Sequence, residues 1–320
     1  MTFDAPLYMM KVSNNKNWGI FFMKNIASRW GRVLRISTLP ASLIPVLLGT
    51  VYAYTETGVW NPAVFLAMAT ASALIQISTN LFNDYYDYKR GLDSENSVSL
   101  GGGIIHYGMS PKQTLQLAVG MDIIAVLLGV YLCIQTSWFL ALWGLLFLII
   151  GYCYTGGPLP IAYLPLGEVV SGLSMGAGIT CIAYYIQTKA FSWDSFLIAM
   201  PIILLIGLLM AANNIRDREG DAESGRKTLP ILLGHTRAVT LFAAVLVIIY
   251  LWPLVLIFCY HWHPFVLLPL CSIPKAAAII KTLWPSGLEP AVYMPAVKGT
   301  AKLNTIYGLL YIIGILLSVL

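Results

Sequence analysis

Charge is scarce in this chain: Asp, Glu, Lys and Arg together make up 10% of its 320 residues, against 58% hydrophobic residues. Such a composition excludes an ordinary soluble domain and implies a multispanning membrane protein. Histidine is rarer still, with four residues, and the five cysteines (Cys133, Cys153, Cys181, Cys259 and Cys271) have no C-x-x-C spacing. They read as small apolar residues, with neither a disulfide framework nor a metal site implied. The first 30 residues lack a long apolar run and a small-residue cleavage site, so no signal peptide is expected. The short patch WGIFFM at 18–23, with Lys on both sides, reads as an interfacial amphipathic helix that buries Trp18, Phe21 and Phe22; a disordered tail is the alternative. Residues 1–30 are therefore taken as an interfacial segment and 31–320 as one membrane domain.

What the chain does have is long apolar windows. About nine of them approach the ~20 residues that cross a hydrocarbon core. They fall near 37–55, 62–82, 113–135, 137–154, 168–188, 195–213, 237–259, 264–283 and 302–320, predicting an all-α polytopic bundle. Basic residues gather before the first window and between windows two and three, six and seven, and eight and nine, the last group being Lys281, Lys298 and Lys302. All these connections share one face. Lys189 lies on the other, and Lys275 inside window eight, where it is expected to snorkel toward the basic face. Retention of Lys and Arg in the cytoplasm puts the N-terminus there and the C-terminus outside.

Eight of the 14 acidic residues sit in two short segments. Asp84, Asp87, Asp93 and Glu95 follow window two; Asp217, Glu219, Asp221 and Glu223 follow window six. Projected at about 100° per residue, Asn80, Asn83, Asp84 and Asp87 share one helical stripe, and so do Asn213, Asn214, Asp217 and Asp221. Gly220 would loosen the placement of Asp221 if it ended the second helix early. Two such rows can face each other across a cavity at one membrane surface. Crowded carboxylates raise each other's pKa unless a cation neutralises them. Oxygen donors without His or Cys favour Mg²⁺, whose shell is commonly completed by substrate phosphates. Lys89, Arg90, Arg216, Arg218, Arg226 and Lys227 are interleaved with the acids and suit a polyanion. The set describes a diphosphate site; the competing reading, acids that merely solvate loops, fits one cluster better than two.

At these residues the sequence resembles the UbiA superfamily of intramembrane aromatic prenyltransferases. The resemblance rests on N-D-Y-Y-D-Y-K-R-G-L-D at 83–93 and N-N-I-R-D-R-E-G-D at 213–221, followed by G-R-K-T-L-P. L-R-I-S-T-L-P-A-S at 34–42, Y-T-G-G-P-L-P-I-A-Y at 154–163 with L-G-E at 166–168, and T-A-K-L-N at 300–304 extend it along the chain. The long gap before Asp93 is similar to the branch that prenylates 1,4-dihydroxy-2-naphthoate on the way to menaquinone. The resemblance implies ionisation of an allylic polyprenyl diphosphate and attack on the allylic cation by an aromatic acceptor. 4-Hydroxybenzoate is the alternative acceptor. It further implies Mg²⁺ held by Asn83, Asp87, Asn213, Asp217 and Asp221, with Asp84 and Asp93 in reserve, and a diphosphate contacted by Arg35, Lys89, Tyr154 and Arg216. Asp87, Asp217, Asp221, Arg35 and Tyr154 are the expected catalytic set. The loop at 97–111 lacks the Arg of many relatives, leaving His106 or Lys112 as substitutes. The partners implied are a polyprenyl diphosphate, an aromatic acceptor and the lipid bilayer, with no nucleic acid; oligomeric state is left open.

Other polar residues fit less readily. Glu168 is either a helix cap or a site residue. Asp122 lies about 15 Å into window three and should face protein or cavity, with a buried hydroxyl or amide as its expected partner. His261 and His263 read as interfacial. A transporter would carry its binding groups near the midplane rather than at one surface.

Overall fold

The structure, a computed structural model, describes residues 29–92 and 102–318. The segment at 18–23 and the acids Asp93 and Glu95 lie outside the described residues. Among those residues there is no strand, and nine apolar helices run through the fold: α1 Pro40–Thr57, α2 Pro62–Lys89, α3 Pro111–Gln135, α4 Leu140–Thr155, α5 Gly167–Thr188, α6 Trp193–Arg216, α7 His235–Tyr260, α8 Pro264–Leu283 and α9 Pro290–Leu317. All but α4 are long and apolar enough to cross a membrane.

Local chemistry sets the starts. Asn61 accepts hydrogen bonds from the amides of Ala63 and Val64 ahead of α2, with Pro62 in the first turn. Ser110 and Gln113 form a reciprocal capping box on α3, and Ser192 caps α6. On one face the links at 58–61, 136–139, 189–192 and 261–263 are short. The longer connections, at 90–110, 156–166, 217–234 and 284–289, share the other face with most of the basic residues.

Two boundaries move far from the hydropathy windows. Helix α2 continues to Lys89 rather than stopping near 82, and α9 begins at Pro290 rather than near 302. In α2 the polar run 83–89 lowers the window average without weakening the backbone ladder; in α9 Pro290, Pro295, Lys298 and Lys302 interrupt the apolar window while the helix runs through. Asp84 and Asp87 are thus carried on the helix, and Lys298 and Lys302 belong to α9 and not to a loop.

Helices α1, α6, α7 and α9 enclose the largest core cluster, in which Tyr52, Tyr307 and Tyr311 are buried beside Leu48, Ile202 and Phe242. The Tyr307 hydroxyl donates to the Ile249 carbonyl at 3.0 Å. A second cluster joins α1, α2, α3 and α5 through Val46, Val64, Leu132 and Ala183. Leu127, Ile134 and Phe258 remain exposed on α3 and α7, the outward surface a bilayer would cover. Helix α5 has a π-helical stretch at Gly172–Gly178. There α6 comes so close that a Cβ on Gly176 would lie 2.5 Å from Ile203 Cα.

Between α1, α2, α3, α4, α5, α6 and α9 lies a cavity of about 1040 Å³. Met68, Ala71, Ile75, Thr79, Asn83 and Asp87 mark its course along α2. From Met68 to Asp87 the helix rises about 29 Å, nearly a hydrocarbon thickness. The polar residues concentrate at one end.

Candidate active site

That end is built from the last turns of α2 and α6. Asn80, Asn83 and Asp87 line it from α2; Asn213, Asn214 and Asp217 line it from α6. Helix α6 stops at Arg216, and Asp217 forms the corner to a short helix, Arg218–Glu223, that carries Asp221 back to the cavity wall. The break therefore falls at Asp217, and Gly220 sits within the short helix. The Asp221 amide donates to the Asp217 carbonyl at 2.8 Å, which fixes this corner.

Arg226 joins the two acidic segments. Its Nη2 donates to Asp87 Oδ1 at 2.9 Å and its Nη1 to Asp221 Oδ1 at 3.0 Å, while the guanidinium lies 5.1 Å from the Tyr163 ring centroid. Burial pushes the Asp221 carboxyl up to about 6, with Arg226 pulling the other way. Burial also works to lower Arg226, but Asp87 and Asp221 outweigh it and the net direction is upward. Arg216 is tied to Asp217, with Nε at 2.7 Å from Oδ1. Among the described residues no three His, Cys, Asp or Glu side chains converge closely enough to hold a metal by themselves. The carboxylates are spread around an opening and hold arginines.

Arg35 has left-handed backbone, φ 49° and ψ 46°, an unfavourable conformation for a side chain of this size. The turn aims its guanidinium at α2, where Nη2 donates to Asn83 Oδ1 at 3.1 Å and to Asp84. Asp84 is 1% exposed, and its other oxygen accepts from the amides of Gly102 at 3.2 Å and Gly103 at 3.0 Å. It thus anchors a loop, although the helical projection grouped it with Asn83 and Asp87. Asn83 in turn donates to Asp87 Oδ2 at 2.8 Å. Lys89 is exposed over the Tyr85 ring, away from the cavity wall. Neither His106 nor Lys112 reaches that wall.

Tyr154 and Ser171 both line the cavity below the mouth. Glu168 is buried and accepts a hydrogen bond from Asn214 Nδ2 at 2.9 Å, which orients that amide at the cavity wall. Asn213 Nδ2 donates to the Leu209 carbonyl at 3.0 Å, leaving its oxygen free of this bond. Deeper, Asp122 accepts a hydrogen bond from Ser78, the buried hydroxyl expected for it. Sequence reasoning counted Arg226 among the interleaved cations but did not single it out; its place in G-R-K-T-L-P, directly after the second motif, was the available signal.

Comparison with known proteins gives a consistent picture. Residues 42–290 match the model of the UbiA prenyltransferase family. The chain is 47% identical over 287 residues to 1,4-dihydroxy-2-naphthoate octaprenyltransferase of Bacillus subtilis (strain 168), covering 90% of this chain and 92% of that protein. It is 29% identical over 290 residues to human (Homo sapiens) UbiA prenyltransferase domain-containing protein 1, covering 89% and 82%. Among solved structures, a UbiA homologue from Aeropyrum pernix K1 aligns with a TM-score of 0.64 at 16% identity, over 88% of this chain and 98% of that one. A UbiA homologue from Archaeoglobus fulgidus bound to DMAPP and Mg²⁺ aligns with a TM-score of 0.59 at 15% identity, over 88% and 99%. At such identities these structures speak for the fold.

Proposed function

Because the chain belongs to the UbiA prenyltransferase family, we propose that it transfers a polyprenyl group from an allylic polyprenyl diphosphate to 1,4-dihydroxy-2-naphthoate, with loss of CO₂ and diphosphate, in menaquinone biosynthesis. The observation that carries this reading is the polar mouth on a deep apolar cavity, where Arg226 spans Asp87 and Asp221. A diphosphate belongs at that mouth and a long hydrocarbon tail below it. The mouth faces the cytoplasm of a cell-membrane protein, because the basic residues gather on its side.

Mg²⁺ fits the donor set, since Asn83, Asp87, Asn213, Asp217 and Asp221 supply oxygen ligands alone, and their spread leaves coordination positions for water and phosphate. When bound, it neutralises charge that develops on the leaving diphosphate. Arg226, bonded to Asp87 and Asp221, stands at the mouth, where it would donate to the diphosphate. Arg216 flanks it. Ionisation breaks the allylic C–O bond, and the electron pair leaves with the diphosphate. The ring carbon bearing the carboxylate forms the new C–C bond; the pair from the broken C–CO₂ bond restores aromaticity. Phe147, Leu148, Met175 and Ile179 on the cavity wall keep water from the cation. Asn214, held by Glu168, gives the site a fixed polar group just below the mouth, and Tyr154 lines the same cavity.

The test supplies membranes containing the protein with labelled polyprenyl diphosphate, Mg²⁺ and either 1,4-dihydroxy-2-naphthoate or 4-hydroxybenzoate. Prenylated naphthoquinol that disappears with EDTA is expected. A product only from 4-hydroxybenzoate would overturn the acceptor assignment, and no product from either acid would overturn the reaction.

A further inference from the structure

Two lysines on α9 stand outside the ion-pair network. Lys298 and Lys302 lie one helical turn apart, are exposed, and both line the cavity. The other cations on that wall, Arg35, Arg216 and Arg226, are each bonded to a carboxylate. Among the described residues no ion pair includes either lysine. Their depth follows from the packing. Arg216 Nη1 lies 3.7 Å from Met294 Sδ, which puts Met294 level with the mouth. Lys298 and Lys302 then lie about 6 and 12 Å further along α9, toward the membrane interior. Ser37 and Thr38, just before α1, and Ser42 in its first turn also line the cavity. A lysine at that depth is costly and marks a ligand path, and among the described residues no carboxylate pairs with either lysine. The anion must arrive with a ligand.

The diphosphate belongs at the mouth between α2 and α6, no deeper than Lys298 and at least a turn above Lys302. Its allylic carbon lies below it, so the acceptor ring has to sit at about the level of these lysines. The acceptor is a carboxylic acid. We propose that Lys298 and Lys302 bind the acceptor's carboxylate and set its ring beneath the diphosphate, an inference that rests on the prenyl-transfer reading above. The pair also distinguishes substrate from product, because loss of CO₂ removes the anion that the lysines hold.

The experiment measures KM for 1,4-dihydroxy-2-naphthoate and for the polyprenyl diphosphate in wild type, Lys298→Gln, Lys302→Gln and Lys302→Arg. Loss of one charge-assisted contact should raise the acceptor KM about 10- to 100-fold. The diphosphate KM should stay near wild type, and Lys302→Arg should recover most of the loss. In parallel, 1-hydroxy-2-naphthoate and 1-naphthol are compared as inhibitors. The acid should bind more tightly to wild type and lose that advantage in the Gln variants. A rise in the diphosphate KM instead would assign the lysines to the other substrate, and unchanged constants for both would leave them as lipid-headgroup anchors; either result overturns the proposal. So does a wild-type protein that binds acid and naphthol alike, a comparison that needs no variant to fold. Wild-type turnover of the acid is the separate control for the reaction itself, since the lysine assignment is read only as ratios between variant and wild type and between the two inhibitors.

Discussion

Arg226→Ala separates the structural work of the bridge from its chemical work. The guanidinium, 15% exposed, holds Asp87 and Asp221, which are 14% and 11% exposed, through bonds of 2.9 and 3.0 Å. Removing one partner of a fully buried pair costs about 3–5 kcal/mol; the residual solvent access here reduces that to about 2–3 kcal/mol. At about 2 °C per kcal/mol the apparent unfolding midpoint should fall by about 4–6 °C. That fall belongs to protein in EDTA, where the two carboxylates face each other with no cation. In Mg²⁺ the ion can take the guanidinium's place and the difference should shrink. Turnover should behave oppositely, remaining at least ~100-fold down in Mg²⁺, because a charged donor to the leaving group is gone. Tryptophan fluorescence of detergent-purified protein gives the midpoints, and labelled polyprenyl diphosphate gives the turnover. Equal midpoints in EDTA would refute the bridge as a stabilising element, and near wild-type turnover in Mg²⁺ would remove Arg226 from the diphosphate site.

Asp87→Ala and Asp217→Ala should abolish turnover while the protein still accumulates in membranes; activity near wild type in either would dismiss that residue as a metal ligand. Asp84→Asn should act chiefly on stability, by about 2–4 kcal/mol, because it uncouples Arg35 and the Gly102–Gly103 amides from a buried carboxylate. Unfolding midpoints and membrane yield read this, and a stable but inactive variant would instead make Asp84 a site residue. Gly176→Leu should prevent accumulation of folded protein, since even a Cβ would fall 2.5 Å from the α6 backbone, whereas Gly120→Ala meets nothing within 4 Å and should be silent. Detergent size-exclusion profiles compare the two.

The fold was legible in the sequence because a bilayer imposes a length on every apolar window, and all nine windows have a helix in the structure. The two acidic stripes were legible for a related reason: a helix puts residues three and four apart on one side, so Asn80, Asn83 and Asp87 reach the cavity together. The projection could not show that Asp84, one residue from Asn83, would turn toward a loop 18 residues further on. Nor could it single out Arg226, whose bond to Asp87 spans 139 residues. The largest boundary errors share one cause. Hydropathy reports where a side chain is content in lipid and says little about whether its backbone is helical. The end of α2 is helical but polar, and the start of α9 is helical but carries Pro290, Pro295, Lys298 and Lys302, so the windows closed early on one and opened late on the other. A residue is polar at membrane depth only where it faces something other than lipid. The stretches that failed as membrane helix, 83–89 and 290–301, both contribute residues to the cavity lining, and the charge of Lys298, which lines that cavity, hid it in a supposed loop. In a chain of this kind, a helix that outlasts its apolar window is itself a pointer to the site.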